Sequence, residues 1–308
     1  MPYPAASGRQ VVLARGPQRA VVVEVGGGLR AYEAAGVVVL DGYGEDERAS
    51  GGRGQALLPW PNRLDSGRYE FDGESYQLPL TEPDRGNAIH GLTRWSAWAL
   101  LESRSDRAVL GHTLHPQPGW AWTLDLRVEY RLGDTGLDVT LQARNRSGRR
   151  APFAAGFHPY LAAPTGRVDD LEVTVPAVTR YLTDDRGLPT ATATAPVAGS
   201  DVDLRAPTVL GGRVLDTAFT DLERDSQGMA VIEVRDPQAG GAVQVRLGPA
   251  WSHVMVFTGD TLPARPRGGL AVEPMSAPAN ALRTGAGLAI LDPGGEFQGS
   301  WSITPGWL

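Results

Sequence analysis

From Trp122 to Arg131 the chain reads WTLDLRVEYR, and every second residue is apolar. Trp122, Leu124, Leu126, Val128 and Tyr130 fall on one face; Thr123, Asp125, Arg127, Glu129 and Arg131 fall on the other. Successive side chains of a strand point to opposite faces, whereas a helix repeats its apolar positions about every 3.6 residues. A run this regular is a half-buried antiparallel strand. After Gly133, Asp134 and Thr135 the alternation resumes, with Leu137, Val139 and Leu141 set against Asp138, Thr140 and Gln142. The two segments form a long hairpin with one wet face. Ala230 to Arg235 and Ala242 to Leu247 repeat the pattern.

The rest of the chain agrees. Strand signals begin at VVL (Val11 to Leu13), AVVVEV (Ala20 to Val25), LRAYEA (Leu29 to Ala34) and VVVLDG (Val37 to Gly42), with a turn at Gly26 to Gly28. No long window holds a helical period, and 39 Gly and 24 Pro punctuate the strands. Strands recurring about every 8 to 14 residues are the mark of a large sandwich or barrel. We expect one all-β domain over residues 1–308, a single large antiparallel β-sandwich. Tyr43 to Gly54, YGEDERASGGRG, is polar and Gly-rich and is expected to be a mobile surface loop.

Composition excludes several kinds of chemistry. Every basic side chain is Arg, so a Schiff-base lysine and a P-loop lysine are ruled out. The lack of Cys removes disulfides, thiol nucleophiles and thiolate metal sites. A net charge of −6 disfavours a nucleic-acid surface or an anionic membrane as partner. No apolar run approaches the ~20 residues of a membrane span. The opening MPYPAASGRQ has no basic segment followed by an apolar core, so no signal peptide is read and a cytoplasmic location is expected. Oligomeric state leaves no trace in the sequence.

Polar candidates cluster between Pro59 and Gly91. There RYEF and SYQL flank Asp72-Gly73, the pair that favours a tight hairpin turn. Before the hairpin, Asn62-Arg63 follows Trp60-Pro61 on a rigid, non-helical turn; after it, His90-Gly91 closes a return loop. Arg, Asn and His on fixed loops beside an exposed Trp suit a polyol or sugar site. The same residues also suit a loop held by its own Arg hydrogen bonds. Two further segments carry proton-transfer groups. AAGFHPYL sets His158 before Pro159, and LAVEPMSAPANAL sets Glu273 before Pro274. Proline is kept out of central strands, so each is expected at the end of a buried strand. Rigid strand ends hold an acid and a base in fixed geometry, although a His-Pro or Glu-Pro at a strand end also serves purely structural ends.

In order and spacing, PWPNR, GRYEFDG with YQL, AIHG, GFHPY, LDTAFT, then AVEP with NAL resemble the aldose 1-epimerase (mutarotase) family over most of the chain. The resemblance implies a galactose mutarotase-like supersandwich that interconverts sugar anomers without metal, nucleotide or redox cofactor. By it, His158 matches the general acid on the ring oxygen and Glu273 the base at the anomeric hydroxyl. His90 matches a second histidine near the ring oxygen, and Arg63 a substrate-binding arginine. Asn62 would join Arg63 in holding hydroxyls. Asp216 of LDTAF fits a hydroxyl-binding carboxylate, with Asp221 as the neighbouring alternative. Trp60 or Tyr160 could floor the sugar, or belong to the core.

Departures point to the broader bacterial branch. Galactose mutarotases carry Asn-His-x-Tyr-Phe where this chain has Phe157-His158-Pro159-Tyr160, and a polar residue where it has Met275. A phospho- or sulfosugar epimerase is an alternative, but no extra Arg cluster accompanies the motifs. A non-catalytic sugar-binding module would need Arg63 and Asp216 without the His158 and Glu273 pair. A metal hydrolase would use His90, His158 and Glu273 as ligands, yet only His112 and His115 are closely spaced; both read as structural. A glycosidase needs two carboxylates, and Glu273 has no partner in a comparable motif. His253, in WSHVMVFT, either faces the cavity or belongs to its strand.

Overall fold

Alternation at Trp122–Gln142 becomes a nine-stranded antiparallel sheet in the computed structural model, which describes residues 5–238, 240–262 and 264–308. The first four residues of the segment read for a leader lie outside them. Leu124–Leu132 pairs with Leu137–Asn145 from Leu124↔Asn145 to Leu132↔Leu137. Leu124, Leu126, Val128, Tyr130, Val139 and Leu141 are buried, and the intervening polar residues keep contact with solvent. Arg107–Leu114 flanks the hairpin on one side. On the other side lie Glu296–Pro305, Gly241–Leu247 and Ala230–Asp236, so both repeated patterns join the same sheet.

The second large sheet runs Pro189–Pro196, Ala177–Thr183, Asp216–Leu222, His253–Phe257, Gly269–Met275, Gly156–Phe157 and Ala56–Leu57, with Tyr160–Ala162 also on Gly269–Met275. Its central strands are covered on both faces and Gly269–Met275 is buried at every position, whereas Ala177–Thr183 and Asp216–Leu222 keep partly exposed residues. Phe219, Val254, Val256 and Val272 join an apolar cluster that extends from Val11 to Ile303 and takes in residues of both large sheets. The opposite face carries Ala218, Met255 and Met275, and beside them Tyr160 and Ala271. Each fully buried Val or Leu contributes about 1.5–3 kcal/mol, so the sheet is a rigid support for what its second face carries. Among the described residues helix is confined to three short turns, Pro83–Arg85, Val168–Asp170 and Ala281–Thr284. The all-β sandwich expected from the alternation is what forms.

Asp72-Gly73 turns the hairpin Arg68–Phe71 to Glu74–Gln77 with both residues at positive φ, as that turn requires. Three local expectations are corrected. Val37–Gly42 keeps only Val37–Val38 as strand, because the chain leaves the edge to bridge Leu40 to Leu161. Trp60 is not exposed; it is 3% accessible and part of the core. The 43–54 loop is exposed over residues 44–48, but Gly52 and Arg53 are buried against the second sheet.

Candidate functional site

Cross-strand register assembles the site. Ala218 pairs with Met255, and Met255 with Glu273. Gly156↔Met275 and Tyr160↔Ala271 bracket His158, which therefore lies opposite Glu273. At the other end, Thr179↔Thr220 and Arg180↔Phe219 set Tyr181 opposite Ala218. Paired residues share a face, so Tyr181, Ala218, Met255, Glu273 and His158 form one row across the sheet.

His158 follows directly on the strand Gly156–Phe157, as its His-Pro dipeptide led us to expect. Glu273 differs: it lies inside Gly269–Met275 and not at its end. Pro274 is tolerated there because pairing on that side stops at Gly156↔Met275 and resumes at Tyr160↔Ala271, so the ladder asks no N–H of it. His158 Nε2 stands 3.3 Å from Glu273 Oε1, with both side chains almost wholly buried. Glu273 Oε2 has no hydrogen-bond partner among the described residues.

Several groups hold His158 in place. Its ring stacks on Tyr160 at 4.9 Å between centroids, nearly parallel. Arg53 lies over Tyr160 at 4.7 Å and is paired at 2.8 Å with buried Asp41. The Tyr160 hydroxyl donates to Gly51 O at 3.0 Å. Gly52 packs on the imidazole so closely that a Cβ there would fall 2.6 Å from Cδ2, and its φ of +79° also favours glycine. Tyr160 thus packs between the His158 ring and Arg53, buried and not an open floor.

His90 and Asn62 both adopt the left-handed conformation, at φ 63 and 56. The Asn62 backbone N–H donates to His90 Nδ1 at 3.1 Å, so the neutral ring carries its proton on Nε2. The His90 ring meets His158 edge-on at 5.3 Å. Asn62 Oδ1 accepts the Arg63 N–H at 2.8 Å, and its Nδ2 remains a donor. Arg63 fits both readings of its loop. Its Nε and Nη2 donate to Glu82 at 3.0 and 3.2 Å, while Nη1 is 3.6 Å from Asp216 Oδ2. Gly187 leaves room for that guanidinium; a Cβ there would lie 2.6 Å from Nη1. Asp216 is the carboxylate beside Arg63. Asp221, at the far end of the same strand, places its charge near Tyr181 and His253 instead.

Burial dominates the electrostatics. It brings His158 down to about 3, helped by the charges of Arg94 and Arg53. Burial, then Arg94, His158 and Arg63, hold His90 well below the usual histidine range. Glu273 is pushed well above the usual carboxyl range by burial and by Asp216, against the pull of Arg63. Burial thus favours the uncharged form of each group, His158 without a second proton and Glu273 with its own.

Sequence reading missed Gly52, Arg53, Glu82 and Arg94. Arg94 has no ion-pair partner among the described residues, and burial brings it down to about 10. It follows AIHG by three residues. His253 faces the site side of its strand, two residues from Met255. His112 lies on the nine-stranded sheet with Nδ1 3.2 Å from Ala97 O, and His115 is exposed. Among the described residues no group of three or more His, Asp or Glu could hold a metal ion, and no helix is long and apolar enough to cross a membrane.

Known proteins resemble this chain in sequence and in fold. The family profile for aldose 1-epimerase matches residues 9–304. An uncharacterized Escherichia coli (strain K12) protein, YihR, is 32% identical over 94% of this chain and 90% of its own. Human galactose mutarotase is 29% identical over 50% of this chain and 46% of its own. Among solved structures, a GalM/aldose epimerase homologue from C. elegans superposes with a TM-score of 0.87 at 16% identity, covering 96% of this chain and 98% of that one. A galactose mutarotase-like protein from Clostridium acetobutylicum gives 0.84 at 18% identity, covering 96% and 94%.

Proposed function

The chain belongs to the aldose 1-epimerase family, and we propose that it interconverts the α and β anomers of a free aldose by acid–base ring opening. One observation carries the reading: a buried carboxyl and a buried imidazole meet at 3.3 Å on a rigid sheet, with one carboxyl oxygen unpartnered among the described residues. Glu273 takes the proton from the C1 hydroxyl while His158 gives one to the ring oxygen, and the C1–O5 bond breaks to leave an open aldehyde. Rotation about C1–C2 presents the other carbonyl face, and the two transfers run in reverse. Each group contributes roughly 10²–10⁴-fold.

The base needs its carboxylate form, so the Glu273 proton must first move to His158. A bound sugar favours that move, because its hydroxyl donates to the carboxylate and its ring oxygen accepts from the imidazolium. His90, neutral with its proton on Nε2, serves as a fixed donor near the ring oxygen. Arg63 Nη1, Asn62 Nδ2 and Asp216 hold hydroxyls while the ring is open.

The test is saturation-transfer NMR of anomer exchange over a panel of pure aldoses, with binding followed by calorimetry. Faster exchange supports the reading. Binding without faster exchange would leave a sugar-binding module instead. One observation favours a second reading, an anionic sugar: Arg94, whose charge acts on both histidines, has no ion-pair partner among the described residues. Including glucose 6-phosphate in the panel separates the two, since a neutral-sugar enzyme gains nothing from the phosphate.

A further inference from the structure

Polar groups on the site face extend beyond the acid–base pair. Ser252 Oγ lies 3.1 Å from Ser276 O and 2.8 Å from His253 Nδ1. A carbonyl can only accept, so both contacts are hydrogen bonds only if Ser252 donates to Ser276 and accepts from His253 Nδ1–H. Burial keeps His253 neutral, so its one proton is on Nδ1 and its Nε2 is an acceptor. The Tyr181 hydroxyl, 3.3 Å away, donates to it. Tyr181 has thereby committed its only proton, and the lone pairs of its oxygen remain to accept.

The place of that oxygen matters. Tyr181 ends the row that begins at His158 and Glu273, and its ring packs on Ala218, Met255 and Met275. Ala218 is small, which lets the phenol reach across it to His253 on the next strand. Neighbouring strands are about 4.8 Å apart, and the strand of His253 is the one paired directly with the strand of Glu273. The phenolic oxygen is therefore set off from the acid–base pair by about the width of a pyranose ring, over an apolar Met floor.

We propose that Tyr181 determines specificity, accepting a hydrogen bond from a sugar hydroxyl remote from C1, with His253 positioning it. The proposal rests on the sugar reading above and adds a contact that the acid–base mechanism does not use. The probe is D-glucose, or whichever aldose the panel binds most tightly, together with each of its monodeoxy analogues, measured by calorimetry on the parent and on Tyr181→Phe. Phenylalanine keeps the ring and its packing, and a thermal melt checks the fold. One remote monodeoxy analogue should bind the parent about 10-fold more weakly. Tyr181→Phe should lose about the same factor for the full sugar, with KM raised and kcat within about twofold, and lose nothing further for that analogue. A uniform loss over all analogues, or no loss for any, overturns the proposal. Because calorimetry reads binding alone, a parent that binds sugar without speeding exchange would overturn the epimerase reading while leaving this test decisive.

Discussion

Two carboxylates show how differently the two large sheets use charge. Glu129 lies on the wet face of Leu124–Leu132, where Arg107 donates to it at 2.7 Å and draws its carboxyl below the usual range. Glu273 lies on Gly269–Met275, a strand buried at every position, and burial pushes its carboxyl far up. The first is a charge kept where water and a partner favour it. The second is a carboxyl whose charge the fold opposes. A buried group held against its own solvation is a candidate for chemistry, and the comparison can be broken by neutralising each carboxylate in turn.

The largest effect belongs to Glu273→Gln. It keeps size but removes basicity, so kcat should fall at least about 10²-fold while sugar binding persists. His158→Asn should do the same, and the double variant should lose far less than the product, because the groups act as one unit. Stability should move the other way. A carboxyl raised in the folded state costs stability as pH climbs above its unfolded value, so Glu273→Gln should melt no lower than the parent at pH 8. A folded, sugar-binding Glu273→Gln with near-parent kcat would sink the acid–base assignment.

A pH profile sharpens the same contrast. The active state holds one proton between Glu273 and His158. Its acid limb marks the second proton arriving on a histidine taken down to about 3, and its alkaline limb the loss of the last proton from a raised carboxyl. We expect kcat/KM to stay level as pH falls through 6.5, where an ordinary histidine titrates. An acid limb centred there would show that the buried-pair account is wrong. A smaller effect is expected from Arg63→Lys, which keeps the charge but loses the planar fork spanning Glu82 and Asp216. KM should rise about tenfold with little change in melting; unchanged kinetics would remove Arg63 from the site.

Much of this contrast was legible in the sequence, though not evenly. Strict alternation announced the hairpin because one of its faces is wet. His158, Glu273, His90, Arg63 and Asp216 were named because they lie in motifs of fixed order. His253–Phe257 and Gly269–Met275 are buried almost throughout and have no alternation, so the sequence did not reveal that the row from Glu273 runs through Met255 to Ala218 and Tyr181. Gly52 and Arg53 sit in a polar, Gly-rich loop that reads as mobile; yet two adjacent glycines at positive φ were the signal of a close approach to a ring. Trp60 misled because proline after it speaks to its backbone and is silent on its burial.

The smallest effect is the control on which the comparison turns. Glu129→Gln removes the charge that Arg107 pairs with, but Arg107 keeps Glu102 at 2.6 Å. The pair lies at a partly exposed surface, where such contacts contribute about 0–1 kcal/mol. Because the carboxyl of Glu129 is lowered by folding, its contribution is present above the unfolded value near pH 4.5 and is lost as pH falls through the folded one. Glu129→Gln should therefore lower the melting temperature slightly at pH 7, less so at pH 3, and leave anomer exchange unchanged. Its sign is opposite to that of Glu273→Gln. Thermal melts of both variants at pH 8, with exchange rates alongside, decide the matter. If Glu129→Gln slows exchange, or if both variants destabilise equally, the division between a sheet that holds the fold and a sheet that carries the chemistry does not stand.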